Sequence, residues 1–158
     1  MKDLLLIFTE RDLMISESTL TIRWSKPDLL EEEWEFSHHP NKQEYYRRHN
    51  IAWDRLLTVF EAGRLEPYPR SNMLNGMPVS HSYAAYDDYS RYLAKAKRGY
   101  RRNYAKLEEE LQRNGSLLLK APIILLSEGE GLLFSGYRRI CLSWNYGIVP
   151  YVWAVMVE

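Results

Sequence analysis

Apolar residues recur along this chain with two periods, and the places where the period changes mark out its elements. Residues 3–24 read as β: positions 4–8 form a short apolar run, and residues 19–24 alternate with Leu20, Ile22 and Trp24 on one face. The acidic stretch 28–36 fits neither period. His38-His39-Pro40 predicts a break, because the residue before a proline avoids helical backbone. From about residue 41 to 61 the pattern is helical. Trp53, Leu56, Leu57 and Phe60 stand at i, i+3, i+4 and i+7, and Gly63 closes the segment.

Residues 65–78 carry Pro67, Pro69 and Pro78 with Gly76, which predicts an extended or looping hinge. A long helix is expected over 82–114. Tyr86, Tyr89, Leu93, Ala96, Tyr100, Tyr104, Leu107 and Leu111 share one face, Gly99 weakens the middle, and Asn114-Gly115 stops it. The remainder reads as strand 122–126, a Glu-Gly-Glu-Gly turn, strand 132–134, helix 137–146 and strand 149–157. The expected fold class is α+β, with residues 1–64 as a β/α extension and 65–158 as the main domain.

At 158 residues and 46% hydrophobic, the chain is long enough to bury a core of its own. Lys plus Arg (21) balance Asp plus Glu (21), so net charge points to no polyanion partner. Twelve Tyr and five Trp supply core and contact area, with base stacking as the sharper alternative. The single cysteine, Cys141, excludes a disulfide framework and a Cys-rich zinc site. It shares an apolar helix face with Tyr137, Ile140 and Trp144, which reads as packing. No apolar run reaches the roughly 18 residues that span a bilayer, and a cytosolic location is expected.

Charge is unevenly placed. Arg91, Lys95, Lys97, Arg98, Arg101, Arg102 and Lys106 fall within 19 residues that hold no acidic side chain. Arg91, Lys95, Arg98, Arg102 and Lys106 step by four, three, four and four, opposite the apolar stripe of the expected helix. Solvated helix faces normally mix signs, so this stripe suits a phosphate backbone or another polyanion, with a plain solvated face or a share in lining a nucleotide pocket as the alternatives.

A second basic feature is Ser135-Gly136-Tyr137-Arg138-Arg139, where an expected strand meets an expected helix. Helix N-termini present N–H groups without intrahelical acceptors and a positive dipole end. Guanidiniums placed there bind phosphate oxygens in pairs. Other chemistry is poorly supported. His38, His39, His49 and His81 lack metal-ligand spacing. Glu31, Glu32, Glu33 and Glu35 are able to hold Mg²⁺, but a solvated acidic patch is the plainer reading. No P-loop signature is present.

The C-terminal third resembles the ParB/sulfiredoxin-like superfamily. A helix ending in Asn114-Gly115, a Pro122-Ile123 strand, a strand entering Gly136-Tyr137-Arg138-Arg139, a short helix ending at Gly147 and a final strand from Pro150 match its pattern in order, over about residues 105–157. Tyr-Pro-Arg-Ser-Asn-Met-Leu-Asn-Gly upstream is placed as the family's first extended segment. The resemblance implies a ParB/sulfiredoxin-like domain whose Gly–Arg turn (Ser135, Gly136, Tyr137, Arg138 and Arg139) holds the phosphates of a nucleoside triphosphate, CTP or ATP, with Mg²⁺ as the accompanying ion.

Tyr137 stands where sulfiredoxins carry their catalytic cysteine, which argues against that activity. The segment between Gly115 and Pro122 is longer than usual in the family. The expected function is a nucleotide-binding, NTP-dependent or nuclease-like protein of phage or plasmid type that meets DNA through Arg91, Lys95, Arg98, Arg102 and Lys106. A small-molecule kinase and a non-catalytic inhibitor of the same fold are the alternatives. A homodimer is left open. The catalytic carboxylate is undecided among Glu108, Glu109, Glu110, Glu128 and Glu130.

Overall fold

The alternation at residues 19–24 becomes strand β1 (Thr21–Ser25) in the computed structural model, which describes residues 20–81 and 104–157. Ile22 is buried while Thr21 and Arg23 face solvent, as the period-2 pattern requires. The acidic stretch then resolves into short helical pieces. Asp28 caps a 3₁₀ turn (Leu29–Glu32) by accepting from the Leu30 N–H at 3.1 Å, and α1 (Glu33–His38) follows. His39 is extended before Pro40, giving the expected break.

The helix expected over 41–61 is two helices. A 3₁₀ turn (Pro40–Lys42) leads into α2 (Gln43–Arg48), and α3 (Trp53–Val59) continues into a 3₁₀ turn (Phe60–Ala62). Between them Asn50 adopts φ 54, and Ile51 drops into the core with its N–H on the Tyr46 carbonyl at 2.9 Å. Asparagine enters this left-handed region more readily than other side chains, so the helix is interrupted without a glycine or proline to mark it.

Strands β2 (Arg64–Pro67), β3 (Met73–Leu74) and β4 (Met77–Ser80) occupy the stretch expected to loop. Asn75 (φ 52) and Gly76 (φ 78) make the two-residue turn between β3 and β4, a hairpin signal that the surrounding prolines obscure. Of the long basic helix, α4 (Tyr104–Asn114) is described, with Tyr104 and Leu111 buried on the expected face. Its remainder and the apolar run at 4–8 lie outside the described residues. Strand β5 (Ser116–Lys120) is unanticipated: Leu117 and Leu119 are buried and Leu118 is exposed, an alternation that three consecutive leucines hide. Then come β6 (Ile123–Ser127), β7 (Glu130–Ser135), α5 (Tyr137–Asn145) and β8 (Tyr151–Met156).

β1 and β5 form a parallel pair, and the other strands form one mixed sheet in the order β2-β8-β6-β7-β4-β3. β6 lies between parallel β8 and antiparallel β7 and is buried on both faces. Ile124, Leu126 and Leu133 face Leu111, Ile140 and Leu142 of α4 and α5. Ile123, Leu125 and Phe134 face Tyr45, Tyr46, Leu56 and Phe60 of the N-terminal helices. The chain is thus of the α+β class, and both core clusters draw residues from each side of position 64. Among the described residues no helix is long and apolar enough to cross a membrane.

Candidate functional site

β7 delivers the chain to Gly136, whose φ of 103 favours glycine on backbone grounds alone. Packing imposes the same choice. A Cβ at Gly136 would lie 2.6 Å from Cβ of Pro122 and 2.9 Å from Nη2 of Arg139. The turn therefore serves close contact with the β5–β6 junction. It also starts α5 with a residue that provides no capping side chain.

A small pocket of about 30 Å³ opens at this helix start, lined by Glu35, Lys42, Leu133, Ser135, Gly136, Tyr137 and Arg138. Two of its polar groups have unused hydrogen-bonding capacity among the described residues. The Ser135 hydroxyl is buried and makes no hydrogen bond. The Lys42 side chain is only 1% exposed, and its ammonium donates to Glu35 Oε2 at 2.9 Å and to the Phe134 carbonyl at 2.5 Å, which occupies two of its three protons. Burial pulls the Lys42 pKa below the ordinary lysine value. The carboxylates of Glu35 and Glu32 oppose that pull, and the like charge of Arg138 adds to it. Two cations, a helix N-terminus and a spare hydroxyl face one carboxylate, and that arrangement suits an anion.

The residues expected from the sequence separate here. Ser135, Gly136, Tyr137 and Arg138 line the pocket. Arg139 does not. It is 4% exposed, and its Nη1 donates to the carbonyls of Lys120 at 2.5 Å and Ala121 at 3.3 Å. Lys106 is exposed on α4, while Arg91, Lys95, Arg98 and Arg102 lie outside the described residues. None of the five carboxylates weighed for catalysis lines the pocket. Glu108 accepts from the Tyr146 hydroxyl at 3.2 Å, Glu130 pairs with Arg48 at 2.7 Å, and Glu128 sits in the β6–β7 turn. Glu109 and Glu110 are on α4.

Glu35 is the carboxylate that does line it, although the sequence places it in an acidic run read as solvated. That run is not uniform: Glu32 is buried, Glu31 pairs with Lys120 at 2.9 Å, and Glu33 is exposed. Lys42 gave no sequence signal, being one lysine in a polar stretch. His49 figures in the sequence only as one of four histidines without metal-ligand spacing. Its side chain is 4% exposed, with Nδ1 3.0 Å from Ser127 Oγ and Nε2 3.6 Å from Glu130 Oε2. Ser127 is only 2% exposed, so this Ser–His–Glu row is closed to a substrate as it stands.

Behind Tyr137 sits a ring cluster. The His81 ring lies 5.2 Å from that of Tyr137, and His81 Nε2 is 2.6 Å from the Tyr68 hydroxyl. Burial pulls His81 down to about 4 and raises the Tyr68 phenol above its ordinary value, so a neutral pair shares this bond near neutral pH. Burial also pushes the Cys141 thiol up to about 12, in keeping with a packing role. Among the described residues no three His, Cys, Asp or Glu side chains converge as a metal site. Comparisons with family models, curated proteins and solved structures yielded no match.

Proposed function

We propose that the chain binds the phosphate of a nucleotide at the start of α5 and acts on or with DNA as a ParB/sulfiredoxin-like protein. Arg138 and Lys42 supply charge to the phosphoryl oxygens, Ser135 a hydroxyl, and the backbone at Gly136 and Tyr137 the helix end. The observation that carries this reading is the buried Ser135 hydroxyl, which lacks a partner among the described residues in a pocket lined by two cations. Buried polar groups are seldom left unsatisfied, and a phosphoryl oxygen would satisfy this one.

At about 30 Å³ the pocket is about a tenth of the roughly 300–1,000 Å³ of sites that enclose a whole organic ligand. A phosphoryl group would enter it by its oxygens alone, with sugar and base outside. CTP and ATP, with Mg²⁺ on their outer phosphates, are the first nucleotides to try. The DNA part of the reading rests on the basic stripe Arg91, Lys95, Arg98, Arg102 and Lys106.

The test is thermal unfolding against a nucleotide panel with and without Mg²⁺, for wild type and Arg138→Ala. A nucleotide at 100 times its Kd adds about 2.7 kcal/mol to stability. A shift with one nucleotide that Arg138→Ala abolishes supports the reading. The absence of any shift refutes it and favours a non-catalytic binding protein. DNA is tested by salt: five phosphate contacts give a log–log slope near −4.5 on duplex, at about −0.9 per contact. Nucleotide turnover indifferent to DNA would favour the small-molecule kinase.

A further inference from the structure

We propose that Glu35 and Lys42 make this pocket selective for terminal phosphate groups. Glu35 is a built-in counter-ion of Lys42 that a doubly charged phosphomonoester displaces and a singly charged phosphodiester does not. The inference rests on the anion-site reading above and adds the chemical class of the ligand and two determinants from the N-terminal helices.

The two partners of this ion pair are held very differently. Lys42 is fixed: its side chain is 1% exposed, and its Nζ donates at 2.5 Å to the Phe134 carbonyl, one residue before Ser135. Glu35 is the movable member. Its side chain is 32% exposed and stands on α1, a helix of six residues, so it can turn toward water at small cost. It is also the one carboxylate among the pocket-lining residues. In the pocket as described, Lys42 is therefore neutralised by an anion the chain itself carries.

An incoming ligand must compete with that tethered carboxylate, whose effective concentration is on the order of millimolar or higher. A phosphodiester offers one negative charge. It exchanges one unit charge on Lys42 for another and still loses translational and rotational freedom on binding. A terminal phosphate at pH 8 carries close to two charges and three acceptor oxygens. The second charge meets Arg138 and the α5 N-terminus, and a third oxygen can reach Ser135 Oγ. Only the dianion gains more than it gives up.

The experiment is calorimetric titration of the full chain at pH 8 without divalent ions. The probes are a nucleoside 5′-monophosphate, inorganic phosphate and a dinucleoside monophosphate, whose single linkage is a diester. Wild type is expected to bind the two probes that are mostly dianionic at pH 8, the monophosphate and inorganic phosphate, and to reject the diester. Glu35→Gln keeps an oxygen that accepts from Lys42, so the fold persists, as circular dichroism will report. This variant is expected to bind the monophosphate about three- to tenfold tighter, the effect of removing about 1 kcal/mol of competition, and to accept the diester. Lys42→Met is expected to lose at least tenfold in monophosphate affinity.

Unchanged or weaker monophosphate binding by Glu35→Gln, or continued rejection of the diester, overturns the proposal. If Arg138→Ala abolishes nucleotide binding while Glu35→Gln and Lys42→Met leave it unchanged, the nucleotide reading stands and this inference falls. If neither wild type nor Glu35→Gln binds any phosphate, both fall. Binding by Glu35→Gln alone would support the counter-ion role while refuting nucleotide binding by the native chain.

Discussion

The Arg139 guanidinium grips the backbone of another element, with Nη1 2.5 Å from the carbonyl oxygen of Lys120. That carbonyl ends β5, and the next one, of Ala121, is also in reach at 3.3 Å. The same junction is held from two other directions. Ala121 donates its N–H to the Ser25 carbonyl at 2.8 Å, and the Pro122 carbonyl accepts from the Trp153 N–H at 2.7 Å. Arg139 thus fastens α5 to the point where the chain leaves the β1–β5 pair and enters the main sheet. Its neighbour Arg138 lines the pocket. Two adjacent arginines have taken different tasks, one facing backbone and one lining the pocket.

This division is measurable. Arg139→Ala leaves one buried and one part-buried carbonyl without their charged donor and is expected to lower unfolding stability by about 2–3 kcal/mol. Arg138→Ala removes a half-buried side chain and is expected to cost under about 1 kcal/mol while abolishing anion binding. Urea unfolding followed by tryptophan fluorescence ranks the two variants. Equal losses would mean that the pair acts as one structural unit.

Gly136→Ala combines two penalties. The new Cβ meets Pro122 at 2.6 Å, and the backbone stands at φ 103. Left-handed backbone costs roughly 1–2 kcal/mol and overpacking roughly 1–3, so a loss of about 2–4 kcal/mol is expected. The urea midpoint should fall with little change in slope. A variant as stable as wild type would show that the turn has room to relax.

What could be read from the sequence follows from where the determining signal lies. β1, the hairpin turn at Glu128-Gly129, α5 and β8 are coded locally by alternation, by a two-residue turn with φ of 49 and 84, and by helical spacing around Ile140 and Trp144. β5 was hidden because its three leucines show no period, and its partner β1 is about 95 residues away. The break at Asn50 depends on Ile51 finding a place in the core, a tertiary event without a local marker. The site divides the same way. Ser135 to Arg138 are contiguous and visible as a motif. Glu35 and Lys42 reach the pocket only because the N-terminal helices pack on the far face of β7, and no pattern in residues 28–48 announces that.

Asn50 is a test of the break itself. Its φ of 54 is one that glycine adopts without strain and that a β-branched residue resists. Asn50→Gly is expected to hold stability within about 0.5 kcal/mol, and Asn50→Val to lose about 1–2 kcal/mol. Thermal unfolding of the two variants decides between them. A stable Asn50→Val would indicate that α2 and α3 are able to run together, as the sequence pattern suggests.

His81 sets a pH dependence whose sign is fixed by its surroundings. Burial among Tyr68, Tyr137 and Trp144 lowers it from 6.5 to about 4 in the folded chain. Above pH 6.5 it is neutral in both states, and its contribution is fully present. Between pH 6.5 and about 4 the unfolded chain takes up a proton that the folded chain refuses, so stability falls as pH falls. At about 1.4 kcal/mol per pH unit, the full loss is about 3 kcal/mol. His39 is also pulled down, by burial and by Lys42, so the effect must be isolated by difference. His81→Gln retains a partner for the Tyr68 hydroxyl and removes the titration. The wild-type advantage over this variant should shrink as pH drops from 6.5 to 5, a range in which exposed carboxylates remain largely ionised. A difference that stays flat across that range would mean that the folded chain accepts the proton as readily as the unfolded one, and that the ring cluster opens to water on protonation.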